Sequence, residues 1–229
     1  MSEIILIETS TRLCSVALAS DGRIRAYRES AEPHSHASLT SVFVKQVLDE
    51  TGLKVSDCAA VCVSEGPGSY TGLRVGSSTA KGLCFASGVP LLSVGTLDTL
   101  VAQAQEDALS EGFDFIIPLI DARRMEVYTA VFTPQGERLG SVEPKIIDSG
   151  SFASELSRGR ALFIGDAAAK CSEVISSPNA RFVQTCPRAS AMLRPAMREL
   201  ESGNWRDTAY FEPFYLKQFV ATVSKKNIF

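Results

Sequence analysis

Short apolar runs alternate with longer amphipathic segments along this chain. Five runs rich in aliphatic residues predict buried strands, at residues 4–8, 59–63, 91–94, 116–121 and 161–165. Four longer segments predict helices, at residues 36–50, 96–109, 167–176 and 190–202. In the first of these helices Leu39, Val42, Phe43 and Val47 recur at helical spacing. Strands that alternate with helices in this way predict an α/β protein.

The same pattern occurs twice. An apolar run ends on the carboxylate of Glu8 and is followed by a second strand and a turn; a second apolar run ends on Asp121 and continues in the same way. We therefore predict two α/β halves, each of which opens with a strand, an acidic residue and a hairpin. The boundary is placed in a polar stretch, which gives lobes of residues 1–106 and 107–229. The last segment, 213–229, is a candidate to pack back on the first lobe.

Residues 64–84 form the most distinctive segment. Gly66, Pro67 and Gly68 predict a turn, after which Ser69 or Thr71 caps a helix that begins near position 72. Gly72, Gly76 and Ala80 then leave one side of this helix nearly without side chains, at a cost of roughly 1 kcal/mol per glycine. Such a side allows another backbone or a phosphate to come close. It also suits a helix that packs tightly on its own sheet, and the sequence leaves both interpretations open.

Composition and charge favour a soluble protein of the cytoplasm. Hydrophobic residues make up 45% and charged residues 21% of the 229 positions, and the net charge of −3 predicts no broad attraction to nucleic acid. No apolar run reaches the ~18 residues of a membrane span, and the start lacks the basic region of a signal peptide. The six cysteines form no Cys-x-x-Cys pair, so we expect buried free thiols in a reducing compartment.

The sequence of the glycine-rich segment resembles that of a known protein family. Residues 65–76 read Glu-Gly-Pro-Gly-Ser-Tyr-Thr-Gly-Leu-Arg-Val-Gly, which resembles the signature of the TsaB proteins, also called YeaZ. Further similar segments lie at residues 7–10, 89–90, 120–123, 126–128 and 213–217. The resemblance implies two lobes of a duplicated actin-like (ribonuclease H-like) fold, with mixed sheets flanked by helices. It also implies a part in threonylcarbamoylation of adenosine 37 in ANN-decoding transfer RNAs.

The resemblance further implies a noncatalytic subunit that acts through partners. These are TsaD, the catalytic paralogue, and TsaE, an ATPase, while TsaC makes the activated threonylcarbamoyl-adenylate. Two helices from each paralogue would form a four-helix bundle. The chain is expected to form a homodimer in isolation and to meet transfer RNA only within the complex, without contact to a membrane. The predicted interface set comprises Leu39, Val42, Phe43, Gly72, Val75, Gly76, Thr79, Ala80 and Leu83.

No cofactor, metal or catalytic residue is expected from the sequence. A phosphate-binding turn needs glycines so that backbone N–H groups reach the phosphate, and the turns after Glu8 and Asp121 contain none. The resemblance to actin-like ATPases implies a Gly-Gly pair against the adenosine, but in this sequence Asp166 follows Gly165. The two metal-binding histidines of TsaD map onto Thr96 and Leu100, of which the first suits a helix cap.

Two enzymatic alternatives were weighed against the partner subunit. A peptidase of the glycoprotease-like family needs a nucleophile, a base and an orienting group. The only two histidines, His34 and His36, lie in a loop before a predicted helix and in no recognisable motif. A self-sufficient sugar or acetate kinase would need the glycines that both turns lack.

Overall fold

The first five strands form one mixed sheet. A computed structural model describes residues 2–216. The strands are β1 (Glu3–Glu8), β2 (Cys14–Ser20), β3 (Arg23–Ser30), β4 (Ala60–Gly66) and β5 (Leu91–Gly95), in the order β3-β2-β1-β4-β5. Strand β1 runs antiparallel to β2 and parallel to β4. The apolar run that ends on Glu8 is therefore the central strand of this sheet.

The second sheet repeats the first. Its strands are β6 (Phe115–Asp121), β7 (Glu126–Thr129), β8 (Glu143–Ile146), β9 (Ala161–Gly165) and β10 (Ala180–Gln184), in the order β10-β9-β6-β7-β8. Strand β6 runs antiparallel to β7 and parallel to β9, as β1 does to β2 and β4. Glu8 and Asp121 thus end equivalent central strands. This architecture confirms the predicted α/β fold with two duplicated mixed sheets.

Helices cover both faces of each sheet. On the first sheet, α1 (His36–Thr51) and α2 (Tyr70–Ser87) bury one face, through residues such as Val47 and Ala80. The short helices α4 (Ala153–Arg158) and α5 (Ala168–Ser172) bury one face of the second sheet. None of the helices within residues 2–216 is both long enough and apolar enough to cross a membrane.

Two helices cross between the sheets. Helix α3 (Thr96–Glu106) follows the last strand of the first sheet, yet its Leu97, Leu100 and Val101 pack against the second. Helix α6 (Leu193–Glu201), together with the preceding 3-10 turn Ala189–Met192, packs against the first sheet instead. Side-chain contacts therefore cross the predicted boundary after residue 106, and the division into lobes 1–106 and 107–229 stays a prediction.

The segment before residue 217 also returns to the first sheet. Phe211 packs against the core beneath α1 and α2, and the Phe214 amide donates to the carbonyl oxygen of Glu65 at 2.6 Å. Most of the segment that we predicted to pack back, residues 217–229, lies outside the described residues.

The helix ends show which local predictions hold. Ser69 caps α2, since its hydroxyl accepts from the Gly72 amide at 3.3 Å. The prediction that Thr96 caps α3 is wrong, because Gly95 holds the capping position and Thr96 is the first helical residue. Pro195 is tolerated because it lies in the first turn of α6, where its missing N–H would have no partner within the helix.

All six cysteines are free, and Cys186 alone is not buried.

Candidate functional site

The carboxylate at the end of β1 is buried rather than open to a ligand. Glu8 has no exposed surface. Its Oε1 accepts from the Ser10 amide at 2.6 Å and from the Ser64 hydroxyl at 2.9 Å. Burial raises the pKa of Glu8 to about 7, and the hydrogen bonds from Ser10 and Ser64 offset only part of that effect. Glu8 therefore belongs to a closed polar cluster inside the first lobe.

The glycines of α2 make room for the turn that follows Glu8. A Cβ atom on Gly68 would lie 2.3 Å from the carbonyl oxygen of Ser10, and one on Gly72 would lie 2.0 Å from that of Thr9. On Gly76, a Cβ atom would lie 2.2 Å from the Thr9 hydroxyl. Two hydrogen bonds fasten the contact, because the Ser69 amide donates to Ser10 and the Thr9 hydroxyl donates to Gly72. The backbone that approaches this side of α2 is thus the chain's own.

The corresponding carboxylate of the second sheet is neutralised locally. Lys170 forms an ion pair with Asp121 and also donates to the carbonyl oxygens of Arg124 and Glu126, each at 2.8 Å. Asp166 accepts from the Asp121 amide at 2.8 Å. Burial raises the pKa of Asp166 to about 6; this backbone hydrogen bond lowers it and the charge of Asp121 raises it further. Asp166 thus holds the end of β6.

The positions that align with the metal ligands of TsaD lie inside the protein. Leu100 is fully buried and packs against the second sheet. Thr96 is also fully buried, and its hydroxyl has no hydrogen-bond partner among residues 2–216. His36 is occupied by a hydrogen bond between its Nε2 and the carbonyl oxygen of Thr11, at 2.9 Å. Over the described part of the chain, no three His, Cys, Asp or Glu side chains are grouped to hold a metal ion.

The predicted interface set separates into an inner and an outer group. Gly72, Gly76 and Ala80 are buried and turn toward the first sheet, so they are not available on the free surface of this chain. That part of the prediction needs correction, because the small-residue side of α2 is filled by Thr9 and Val63 of the same chain.

The outer group lies where α1 and α2 meet solvent. Val42 is 43% exposed, whereas Phe43 is nearly buried. The other four members are half-buried: Leu39, Val75, Thr79 and Leu83. Contact of these six residues with a partner stays a prediction.

Sequence reasoning missed the most exposed apolar side chain of this surface. Phe85 on α2 is 87% exposed. It lies next to Cys84, which is buried with Ala80 and Leu73 on the opposite side of the helix. Placing every α2 residue by helical angle would have shown a large aromatic ring on the polar side. Val42 on α1 and Phe85 on α2 are the large apolar side chains of these two helices that are exposed to solvent. We refer to the solvent-exposed sides of α1 and α2 as the α1–α2 outer face.

Comparison with known proteins identifies the family. The family model described as "TsaD: tRNA N6-adenosine threonylcarbamoyltransferase" matches residues 29–222. The TsaB protein of Escherichia coli is 36% identical over 129 residues, which are 56% of this chain and 54% of that protein. The chain belongs to the TsaB (YeaZ) family. The TsaB protein of Bacillus subtilis agrees, at 31% identity over 62% of this chain and 59% of its own length.

The fold comparison covers more of the chain than the sequence comparison does. The crystal structure of YeaZ from Pseudomonas aeruginosa superposes with a TM-score of 0.83 at 28% identity, over 94% of this chain and all of that one. The two curated TsaB proteins, in contrast, are matched over only somewhat more than half of their length. The TsaB assignment thus rests on both the sequence and the fold.

Proposed function

We propose that this chain acts in the biosynthesis of threonylcarbamoyladenosine in transfer RNA, as a noncatalytic subunit. The relatives from Escherichia coli and Bacillus subtilis are named as tRNA threonylcarbamoyladenosine biosynthesis proteins. The observation that carries the noncatalytic role is that both strand-end carboxylates are already held by groups of the same chain. Glu8 is sealed inside the protein, and the exposed Asp121 is paired with Lys170, so neither is a free ligand for a metal.

The partner that we propose is the catalytic paralogue TsaD, bound through the α1–α2 outer face. Phe85 exposes a large aromatic ring, and a partner that covered this ring would remove its apolar surface from water. A pair of helices that packs against two helices of a related chain would bury Val42 and Phe85 in a four-helix arrangement. The same face would join two copies of this chain when TsaD is absent. TsaE and transfer RNA would then meet the assembled pair.

The test is reconstitution with TsaD, TsaE, TsaC, transfer RNA, ATP, threonine and bicarbonate. We expect threonylcarbamoyladenosine to form only when this chain is included. Phe85→Asp should abolish co-purification with TsaD and the modification together, while the matched control Leu139→Asp, 55% exposed on the second lobe, should leave both unchanged. Modification that proceeds without this chain would refute the function. Unimpaired binding by Phe85→Asp and Val42→Asp would refute the proposed face.

The peptidase alternative has no comparable support. A general base must reach the hydroxyl or thiol that it activates. The ring of His36 is bonded to the backbone of Thr11, and His34 is exposed at a turn with φ 61°. Incubation of the isolated chain with casein should yield no cleavage.

A further inference from the structure

A polar cavity lies between the first sheet and the hairpin that follows β7, and neither Glu8 nor Asp121 lines it. It has a volume of about 230 Å³ and opens beside the carboxyl ends of β4 and β5, next to α3 and α6. Ligands of α/β proteins commonly bind outside the carboxyl ends of strands. The hairpin after β7 closes the cavity from the second lobe through Arg138. A molecule held there would touch both halves of the protein.

Along one wall of this cavity, the polar side chains form hydrogen bonds with one another. The Arg206 side chain donates to the Ser93 hydroxyl at 2.7 Å and pairs with the Glu65 carboxylate at 3.5 Å. Asn204 joins this network to Glu199. The backbone of Arg206 is in turn fixed to β5 by a hydrogen bond to Leu91. These groups are satisfied by one another and form a rigid side of the cavity.

The other wall carries charged side chains that form no such hydrogen-bonded network. Arg138 and Arg198 line the cavity, and both are exposed. Neither guanidinium group makes a hydrogen bond or ion pair with another side chain of residues 2–216. The half-buried carboxylate of Asp98 lies near both guanidinium groups without a hydrogen bond to either. Burial raises the pKa of Asp98, and the charges of Arg138 and Arg198 lower it only in part. Two donors of positive charge and one carboxylate therefore face the same space.

A second, more apolar cavity of about 320 Å³ adjoins the first. The two share Glu65, Gly95, Asp98 and Arg138. Beyond this shared region the second cavity is lined by apolar groups that include Pro67, Leu97, Val142 and Phe214. The joint space thus combines a charged centre with an apolar chamber, which is the usual composition of a small-molecule site.

We propose that this joint cavity binds a free α-amino acid. Its carboxylate is held by Arg138 and Arg198, since a planar guanidinium suits a carboxylate. Its ammonium group is held by Asp98, and its side chain enters the chamber lined by Leu97 and Val142. A zwitterion matches the two guanidinium groups and the Asp98 carboxylate better than an anion does, because a simple anion would add a second negative charge beside Asp98 without a cation to offset it. The proposal does not depend on the proposed function, since the cavity lies outside the α1–α2 outer face.

The first test uses the unaltered full-length chain and varies the ligand. Each of the twenty amino acids is titrated by calorimetry, next to an acid that lacks the amino group, an amine that lacks the carboxylate, and inorganic phosphate. We expect saturable binding of a subset of amino acids, and binding weaker by about tenfold or more for both truncated compounds, which is the loss that one charged hydrogen bond brings. No amino acid bound, or phosphate or the simple acid bound equally well, would overturn the proposal.

The second test varies the protein. Arg198→Gln and Asp98→Asn should each weaken the binding of the selected amino acid about tenfold or more, whereas Arg181→Gln, an exposed arginine on β10, should not. Circular dichroism confirms that each variant is folded. Because the ligand series uses the unaltered chain, the proposal stays testable if a variant fails to fold. Unchanged binding by both cavity variants would also overturn it.

Discussion

The buried carboxylate of Glu8 should make this protein less stable as the pH rises toward neutrality. The pKa of Glu8 in the folded state is about 7, against an ordinary value of 4.5, because the side chain is fully buried. Below pH 4.5 the group is protonated in both the folded and the unfolded state and costs nothing. Above pH 7 it is ionised in both states, and only the folded state bears the cost of a buried charge.

The size of the effect follows from the shift. One unit of pKa corresponds to 1.36 kcal/mol, so Glu8 should remove about 3 kcal/mol from the free energy of unfolding between pH 4.5 and pH 7. The loss begins at the lower pH and is complete once the folded-state pKa is passed. Asp166, with a pKa of about 6, should add a loss of the same sign from its own ordinary value of 3.8 upward.

The Glu8→Gln variant isolates the contribution of Glu8. The amide oxygen can still accept from Ser10 and Ser64, but the side chain no longer ionises. Both proteins are unfolded with urea at several pH values between 4.5 and 8. As the pH rises, the free energy of unfolding of the variant should increase by about 3 kcal/mol relative to that of the parent. Glu111→Gln, at an exposed carboxylate, is the matched control and should show no such gain. A constant difference between Glu8→Gln and the parent over this range would refute the reasoning.

Three further predictions concern the packing of α2, nucleotide binding and the exposure of the cysteines. Gly76→Ala should destabilise the protein by about 1–3 kcal/mol in urea denaturation, because its Cβ would meet the Thr9 hydroxyl. Gly82→Ala on the same helix has open space around it and should stabilise the protein by up to about 1 kcal/mol. Equal effects of the two substitutions would contradict this packing. Calorimetry of the isolated chain with ATP should show no micromolar site, since the turn after Glu8 is filled by α2. A thiol reagent should modify one cysteine, Cys186, much faster than the other five, which are buried, and mass spectrometry of the labelled peptides would identify any exception.

The repeated pattern of apolar runs was sufficient to predict the two α/β halves and the central strand of each. Continuous aliphatic residues before Glu8 and Asp121 leave little choice but a central buried strand. Strand β3 was missed because it lies at the edge of its sheet and alternates between polar and apolar residues, with Ala26 as its fully buried position. Such a strand is recognised by its antiparallel pairing with β2. The hydrophobicity of neighbouring residues in the sequence carries no information about that pairing.

The candidate site was harder to predict because its contacts join distant parts of the chain. Spacing alone showed that Gly72 and Gly76 allow a close approach, but it could not show that the approaching group is Thr9. Equally, Asp98 and Arg138 lie far apart in sequence and meet only because α3 crosses to the second sheet. Local patterns therefore predicted the elements, and the long-range contacts determined which residues form a site.

The two sides of α2 differ in a way that suits the noncatalytic subunit that we propose. On the inner side, the glycines admit the Thr9–Ser10 backbone so closely that the Ser69 amide donates to the Ser10 carbonyl oxygen and the Thr9 hydroxyl donates to that of Gly72. The Ser69 amide is therefore not available to donate to a phosphate. This contact seals Glu8 and fixes the position of the helix on its sheet. On the outer side, the same helix presents Phe85 to solvent. Because a rigidly held helix loses less conformational entropy when it is bound, the sealed inner side favours the docking that we propose for the outer one.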